Sequence, residues 1–315
     1  MTTPTAAEVK AEAARLGFVA CGVASLAPNS HGDALDAWLA AGHAGTMRYL
    51  HRQAKKRKEP ALVAPEACRA VMVLDNYTAA PEERPQPGDA FKVATYARGT
   101  DYHLVMLARL LALKEWLLAH GASFASAWVD DGPIPERELA ERAGLGWIGK
   151  NSMLIHPELG SWTFIGSVFT DLALAEDTPL ATDHCGSCTR CLDACPTGAF
   201  VAPRVLDATR CLSYLSIEYK PDPPVAFDAR WVGWAFGCDI CNDVCPWNVK
   251  FAKPTAIAEY RRRPDPDRRD PAAFESLDEA AFARLYSDTP LARPGLLRMR
   301  RNVRHAMARR QDLES

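Results

Sequence analysis

The sequence of 315 residues lacks long apolar runs and carries a formal net charge of only −2. No stretch approaches the roughly 18 apolar residues of a membrane-spanning helix. The first residues lack the basic segment and apolar run of a signal peptide. The small net charge does not predict a polyanionic partner. We therefore expect a cytoplasmic protein without membrane association. The sequence does not fix the oligomeric state, and we expect a monomer.

Nucleotide-binding motifs are missing as well. The sequence has no Gly-x-x-x-x-Gly-Lys-[Ser/Thr] motif, and no Gly-x-Gly-x-x-Gly follows a predicted strand. Gly144-x-Gly146-x-x-Gly149 has the glycine spacing of a dinucleotide site, but it follows a predicted helix and precedes a predicted strand. That order is wrong for a phosphate-binding turn, so the sequence disfavours a nicotinamide or nucleotide fold.

Cysteine, in contrast, is abundant, with ten residues in the chain. Cytosolic thiols stay reduced, so clustered cysteines predict metal ligands and not disulfides. The first run is Cys185-x2-Cys188-x2-Cys191-x3-Cys195-Pro196. This is the spacing of bacterial ferredoxins, in which three cysteines hold one 4Fe–4S cluster and the fourth ligates the other cluster.

The second cysteine run is one ligand short. Cys238-x2-Cys241-x3-Cys245-Pro246 matches the last three cysteines of the first run, with Ala235 in place of the first. Cys211, which lies between the runs, supplies the missing ligand. The predicted ligand sets are Cys185, Cys188, Cys191 and Cys245 for cluster one, and Cys195, Cys211, Cys238 and Cys241 for cluster two.

A pair of zinc ribbons is the alternative to two clusters. Zinc prefers two paired Cys-x2-Cys knuckles per ion. It does not require four cysteines in one run followed by proline, so the spacing favours the clusters. Cys21 and Cys68 remain, and their small or apolar neighbours predict ordinary buried thiols.

The residues before the cysteines predict an α/β (α+β) domain at 1–175. Hydrophobic spacing and turn residues predict helices at 5–16, 33–41, 101–120 and 135–143, and strands at 69–75, 124–129, 152–156 and 163–170. A ferredoxin-like segment follows at 176–250, and we expect the Arg-rich segment 251–315 to pack on the core. The core-facing residues expected in the long helix are Leu104, Leu107, Leu111 and Leu118.

Three long segments closely resemble the signature of the epoxyqueuosine reductases. They are ATYARGTDYH (94–103), WVDDGPIPERELAERAGLGWIGKNSMLIHPELGSWTFIG (128–166) and WAFGCDICNDVCPWN (234–248). The resemblance implies a cobalamin-dependent cytoplasmic oxidoreductase that reduces the epoxide of epoxyqueuosine, at the wobble position of tRNA, to queuosine. It implies that residues 1–175 bind the cobalamin. It also implies electrons from a flavodoxin- or ferredoxin-type donor.

The resemblance further implies that Asp130, in Val129-Asp130-Asp131-Gly132, is the general acid. A carboxylic acid protonates a substrate at neutral pH only when burial or a like charge raises its pKa. Asp131 is the adjacent like charge in the sequence. The competing interpretation is that the two aspartates only cap a turn.

Other residues are expected around the corrin by the same resemblance. The sequence has no Asp-x-His-x-x-Gly motif, which fits the related reductive dehalogenases, since they bind cobalamin without a histidine ligand. His103 is a further candidate, and Ile217 and Glu218 are expected to contact the cofactor or tRNA. The expected cofactor-binding residues are Arg57, Tyr96, Asp130, Lys150, Asn151, Ser152, His156, Ser161, Trp162 and Ser213.

Basic runs are the expected tRNA contacts. A modified base must leave its stack to reach a buried cofactor, and lysine and arginine near the entrance would hold the flanking phosphates. We expect Lys55, Lys56, Arg57 and the run Arg298–Arg310 to contribute. Two other functions stay open, a reductive dehalogenase-like reductase of a small molecule and a ferredoxin-type electron carrier. The basic runs disfavour the first, and the large domain before the cysteines disfavours the second.

Overall fold

The computed structural model describes residues 3–85, 89–224, 227, 230–263 and 270–308. The strands in these ranges are β1 (Ala20–Ser25), β2 (Arg69–Asn76), β3 (Lys92–Val93), β4 (Ala125–Trp128), β5 (Trp147–Ile148), β6 (Leu154–Ile155), β7 (Thr163–Thr170), β8 (Phe200–Ala202), β9 (Val205–Leu206) and β10 (Trp234–Phe236). The longer helices are α1 (Ala6–Arg15), α2 (Gly32–Ala40), α5 (Tyr102–Ala119), α12 (Glu279–Tyr286) and α13 (Gly295–Met307).

Shorter helices connect these elements. They are α3 (Arg48–Arg52), α4 (Ala54–Lys58), α6 (Glu136–Arg142), α7 (Arg190–Asp193), α8 (Leu212–Ile217), α9 (Ile240–Asp243), α10 (Pro246–Phe251) and α11 (Pro271–Ser276). Within the described ranges, no helix is long and apolar enough to cross a membrane.

A four-stranded sheet in the order β1–β2–β7–β4 lies at the centre of the first domain. Every neighbouring pair in it is antiparallel, and Val73 of β2 lies opposite Cys21 on one side and Gly166 on the other. The domain is therefore α+β in the strict sense, within the mixed class that the sequence predicts. Strand β1 is missing from the prediction, because its small residues carry little hydrophobic periodicity.

Both faces of the sheet are buried, which explains the continuous apolar run of β2. Val71 and Val73 belong to a core that also contains residues of α1 and α5. Met72 and Leu74 point to the opposite face, where they share a core with Leu139 of α6. Alternate residues of one strand thus hold helices on both sides of the sheet.

The predicted helix ends are confirmed at two N-termini. Thr5 caps α1 through a reciprocal pair, in which its N–H donates to Glu8 Oε2 at 2.7 Å and its hydroxyl oxygen accepts from the Glu8 N–H at 3.3 Å. Asp101 caps α5 by accepting a hydrogen bond of 2.9 Å from the N–H of His103. This cap places Tyr102 and His103 in the first turn of α5, directly beside the candidate site.

Helix α5 buries a different stripe from the predicted one. Leu104 is 57% exposed and Leu111 is 42% exposed, so the prediction is wrong for both. Leu107 and Leu118 only border the core. The leucines of α5 are spaced so that either of two neighbouring faces of the helix could be buried. The face that packs against β4 and β7 is the buried one. The fully buried residues are Met106, Leu110, Leu113 and Leu117.

The C-terminal helices pack on the core, and one of their arginines is internal. Arg301 of α13 is only 8% exposed. Its guanidinium donates to the carbonyl oxygens of Leu215, Tyr219 and Lys220, each at 3.0 Å, around the C-terminal end of α8. A cation there complements the helix dipole. Arg301 is therefore not free to bind tRNA, so the expectation that the run Arg298–Arg310 contributes is wrong for this residue. Arg309 and Arg310 lie outside the described residues.

A buried ion pair joins the sheet, α5 and the C-terminal segment. The carboxylate of Asp75 is fully buried, and Arg109 Nη1 donates to its Oδ1 at 3.0 Å. The Tyr260 hydroxyl donates to Oδ2 at 2.6 Å. Burial raises the pKa of Asp75, and the hydrogen bonds from Arg109 and Tyr260 act in the opposite direction.

Replacing Arg109 by Met tests the strength of this pair. The change leaves Asp75 buried without a cation, so we expect the free energy of unfolding to fall by about 3–5 kcal/mol. Urea unfolding of the anaerobic protein measures it as a lower midpoint at unchanged slope. Arg284→Met, on an exposed position of α12, is the control and should change the value by less than about 0.5 kcal/mol. Equal stability of the two variants would contradict the prediction.

Candidate active site and cluster segment

Four of the cluster cysteines line one cavity. Its volume is about 200 Å³, and its walls also include His184 and Trp247. This space is far larger than a single ion. The lining brings the last cysteine of the second run next to three cysteines of the first, as the ferredoxin pattern requires. The four are Cys185, Cys188, Cys191 and Cys245.

The remaining four cysteines form a second group beside the first. Burial and then the neighbouring Cys211 and Cys195 raise the pKa of the Cys238 thiol. The Cys241 thiol interacts with Cys238 and Cys211, and also with Cys191 of the first group. The structure therefore places these cysteines near one another and near the first group, and their division into two ligand sets stays a prediction.

Two of these cysteines stand at helix N-termini. Cys211 precedes α8, and Cys245 precedes α10. Burial raises the pKa of the Cys211 thiol, and the N–H groups of Tyr214 and Ser213, which face its sulfur, act against burial. Such donors stabilise a thiolate and tune the potential of a bound cluster. Ser213, expected at the corrin, thus lies against a predicted cluster ligand.

A buried amide network connects the first domain to the cysteine segment. Ser161 Oγ donates to Asn242 Oδ1 at 3.0 Å, and the Ser161 N–H donates to Asn248 Oδ1 at 2.6 Å. The amide of Asn248 donates back to Ser161 Oγ at 2.9 Å. Asn151 Nδ2 donates to Asn242 Oδ1 at 3.3 Å. Asn151 and Ser161, expected at the corrin, therefore have their side chains in this network.

Lys150 holds the loop of the first cysteine run. Its ammonium group donates to the carbonyl oxygens of Gly186 at 2.6 Å and Cys188 at 3.1 Å. A lysine that binds two carbonyl oxygens of one loop fixes that loop and adds positive charge beside the cysteine thiols. Corrin binding by Lys150 stays a prediction.

Three other expected cofactor residues lie between β5 and β7. Burial lowers the pKa of His156, whose Nδ1 accepts a hydrogen bond from the Glu158 N–H at 3.1 Å. Trp162 is buried, and its carbonyl accepts from the Tyr77 N–H at 2.9 Å. Ser152 has φ +65°, and its buried hydroxyl has no hydrogen-bond partner among the described residues. Ser152 thus offers a buried polar group that is unused within the described part of the chain.

Asp130 follows strand β4 in a left-handed conformation, with φ +49°. The Tyr102 hydroxyl donates to its carboxylate, and its own N–H donates to Glu136 Oε1 at 2.8 Å. Its side chain is 54% exposed. The neighbouring carboxyl group that contacts it is Glu136, whereas the sequence suggests Asp131. The acid candidate therefore stands at an open entrance, held from two sides.

Two further titratable groups surround Asp130. Burial and then the Asp130 carboxylate raise the pKa of Glu136. His103 Nε2 lies 4.0 Å from Asp130 Oδ2, while its Nδ1 is 2.7 Å from Asp101 Oδ1. The hydrogen bond to Asp101 raises the pKa of His103. Both shifts favour the protonated forms, so two proton-carrying groups flank the candidate acid.

Arg57 clamps the loop that follows Asp130. Its guanidinium donates to the carbonyl oxygens of Ile134 at 3.2 Å and Gly132 at 3.3 Å. Lys55 and Lys56, its neighbours on α4, are exposed. The basic run therefore divides between one partly buried arginine, which binds backbone carbonyls, and two exposed lysines. Arg57 acts on the Asp130 loop, and its expected corrin contact stays a prediction.

Aromatic side chains connect this site to the cysteine segment. Tyr102 stacks on Phe164 of β7 with ring centroids 4.3 Å apart. Tyr96 contacts Tyr102 at 6.3 Å on one side and Phe236, two residues before Cys238, at 5.9 Å on the other. Tyr96, expected at the corrin, thus lies between the acid candidate and the second cysteine group.

Sequence reasoning missed three residues of this site, namely Tyr102, Glu136 and Arg293. An acidic residue in the first turn of a helix is common, so Glu136 carries no special signal. Arg293 pairs with Glu218 at 2.6 Å. Burial lowers the pKa of Arg293, but the carboxylates of Glu218 and then Asp130 raise it, and the net pKa is raised. It is distant in sequence from every motif, and only the fold brings it near.

Comparison with known proteins identifies the family. Residues 184–248 match the 4Fe-4S double cluster binding domain, and residues 57–131 match epoxyqueuosine reductase QueG. The epoxyqueuosine reductase of Cellulophaga algicola is 37% identical, over 94% of this chain and 95% of that protein. The Pseudomonas aeruginosa enzyme is 39% identical, over 91% of this chain and 81% of its own length. The chain belongs to the epoxyqueuosine reductase family.

Solved structures of the family have the same fold. An epoxyqueuosine reductase bound to an epoxyqueuosine-modified tRNA stem loop superposes with a TM-score of 0.88 at 28% identity, over 98% of this chain and 82% of that one. A Bacillus subtilis structure, with its catalytic loop swung out of the active site, gives 0.85 at 27% identity over the same shares. These matches show a two-cluster oxidoreductase of this family.

Removing Cys211 tests the predicted ligand sets. Cys211→Ser should lose cluster two and keep cluster one, because Cys211 belongs to only one set. Iron content should fall by about half, and electron paramagnetic resonance should show a single reduced cluster. Cys68→Ser is the control, since the Cys68 thiol instead contacts the Asp171 carbonyl oxygen at 3.3 Å. Two intact clusters in Cys211→Ser would contradict the assignment.

Proposed function

We propose that the protein reduces the epoxide of epoxyqueuosine in a tRNA anticodon to queuosine. The reaction consumes two electrons and two protons, forms a carbon–carbon double bond and releases the epoxide oxygen as water. The observation that carries the proposal is the contact of Asp130 with Tyr102, beside aromatic residues that lead to the cluster cysteines. A proton donor and an electron supply therefore meet at one site. The curated relatives reported above, both named epoxyqueuosine reductase, disfavour the two alternative functions.

Cobalamin is the proposed cofactor at this site. When bound, its low-valent cobalt supplies the electrons that open the epoxide. The residues present fit such a group, because aromatic rings lie beside Asp130 and the Ser152 hydroxyl is buried without a hydrogen-bond partner among the described residues. A corrin amide would satisfy that hydroxyl, which otherwise carries the cost of burial. Tyr96 and Ser152 would hold the group, and the other expected contacts stay proposals.

Asp130 is the proposed general acid for the departing oxygen. The hydroxyl of Tyr102 orients its carboxyl group, and the first turn of α5 fixes Tyr102. Protonation of a leaving alkoxide by a positioned acid typically contributes 10²–10⁴-fold. Glu136 and His103 lie on either side and supply routes for reprotonation of Asp130 from solvent.

The loop that carries Asp130 is held by contacts from three elements. Tyr102 comes from α5, Glu136 from α6 and Arg57 from α4. A left-handed aspartate costs of order 1–3 kcal/mol, and persists only where its surroundings hold it. We propose that these contacts preorganise the acid for catalysis.

The tRNA is proposed to approach over α4. Lys55 and Lys56 are exposed on this helix, whereas Arg57 of the same helix holds the Asp130 loop. Phosphates held by the two lysines would therefore lie close to the acid. We place the reaction in the cytoplasm and propose a monomer that receives electrons from a separate carrier protein.

Asp130→Asn tests the acid. The amide cannot donate the required proton as an acid, so we expect kcat to fall at least about 10²-fold. Both clusters and the bound cobalamin should remain, as measured by iron content and visible spectra. Queuosine formation in tRNA is the activity measured, with anaerobic protein, cobalamin and a reductant.

Asp131→Asn is the matched control for this variant. Asp131 is exposed and adjacent, so its amide variant should retain activity within about twofold. Full activity of Asp130→Asn would rule out the acid assignment, and loss of its clusters would show a structural cause instead.

A double charge reversal on α4 tests the tRNA approach. Lys55→Glu/Lys56→Glu should raise KM for tRNA on the order of tenfold at low salt, with kcat little changed, because phosphate contacts contribute mainly to binding. The dependence of binding on salt should become shallower. Arg284→Glu, on α12, is the control. Unchanged KM and salt dependence would place the tRNA elsewhere.

A further inference from the structure

The two cysteine groups differ in their access to solvent. Around the Cys185–Cys191 loop, Gly186, Ser187 and Thr189 are exposed. Around the other group, Leu212 and Asp239 are buried. The second group also faces Tyr96 through Phe236. An electron that starts outside the protein therefore meets the first group before the second.

An aromatic patch leads from the first cavity to the surface. Trp247 lines the cavity, and its ring lies 5.7 Å from the His184 ring and 5.1 Å from the Phe251 ring. The ammonium group of Lys250 lies 5.0 Å from the Phe251 ring. Val249, on the same helix α10, is 71% exposed. Two partly exposed aromatic rings, an exposed valine and an exposed lysine therefore share one short helix beside the first cavity.

The charge around this patch is mainly positive. Arg190, Lys250 and Lys253 are exposed, and no carboxylate within the described ranges forms an ion pair with them. Two acidic residues lie close in sequence: Asp183, next to His184, forms an ion pair with Arg204, and Asp193 on α7 accepts a hydrogen bond from Thr189 at 2.7 Å. Asp243 is exposed on α9, and the charges that act on it are Asp239 and then Arg84, Arg98 and Lys92.

We infer that this surface, formed by His184, Arg190, Trp247, Val249, Lys250 and Lys253, is the docking site of an acidic one-electron carrier protein. The inference rests on the proposed function, because it names the entry point of the electrons that this function consumes. A small acidic carrier fits because the patch pairs lysine and arginine charges with apolar rings. One electron passes from the reduced carrier to the nearer cluster, which leaves the carrier oxidised and the cluster reduced by one electron.

Reduction kinetics of the clusters test the docking site without tRNA or cobalamin. The full chain with both clusters is mixed anaerobically with a reduced flavodoxin, and cluster reduction is followed by loss of visible absorbance. In Lys250→Glu/Lys253→Glu we expect the second-order rate constant to fall on the order of tenfold at low salt. High salt should reduce the difference between this variant and the unmodified protein.

Two matched measurements separate docking from damage. Sodium dithionite, a small reductant, should reduce the double variant within about twofold of the normal rate. Arg284→Glu, with the same charge change on α12, should behave like the unmodified protein with flavodoxin. Asp193→Asn keeps an acceptor for the Thr189 hydroxyl, removes one negative charge and should raise the flavodoxin rate.

Two results would overturn the proposal. In the first, flavodoxin reduces the clusters of the double variant at the normal rate. In the second, the variant is slowed to the same extent with dithionite as with flavodoxin. Because the readout is the cluster spectrum, it is independent of the substrate. Failure of the proposed function would appear as absent queuosine with normal cluster reduction. Failure of the docking site would appear as normal reduction of the charge-reversed variant.

Discussion

The buried amide network of Ser161, Asn242 and Asn248 sets the geometry on which the site depends. It joins the turn before β7 to the helices that carry the second cysteine run. Gly160 makes this approach possible, because a Cβ there would lie 2.0 Å from the Asn248 amide oxygen. Strand β7 continues from this turn to Phe164, on which Tyr102 stacks. One set of hydrogen bonds therefore positions the clusters relative to the acid, and a buried network achieves this only when fully paired.

The strained backbone of Asp130 is also held by hydrogen bonds from side chains of other elements. Its left-handed backbone is unfavourable, and each hydrogen bond contributes about 1 kcal/mol. The N–H bond to Glu136 and the clamp by Arg57 together are of the size needed to offset it. The loop is thus held by side chains and not by its own turn chemistry. The position of the acid consequently depends on α4 and α6 as much as on the loop sequence.

The sequence predicts local features well and relative placement poorly. Cysteine spacing predicts the four cysteines that line the first cavity, because ferredoxin geometry is encoded in short runs. The caps at Thr5 and Asp101 are local as well. The buried face of α5 is not local, because β4 and β7 choose between two apolar stripes. The hydrogen bond between the Asp130 N–H and Glu136 is not local either. It requires the first residue of α6 to lie beside the end of β4, and hydrophobic periodicity does not predict that placement.

The basic runs show how charge divides between structure and recognition. Arg57 and Arg301 both place their guanidinium groups on backbone carbonyls, and Arg301 is almost completely buried. A planar group with five donors suits several carbonyls at once, whereas an ammonium group is more strongly hydrated. Lys55 and Lys250 accordingly stay exposed. The two proposed partner surfaces thus use exposed lysines more than arginines, one near Asp130 for the tRNA and one near the first cysteine group for the carrier.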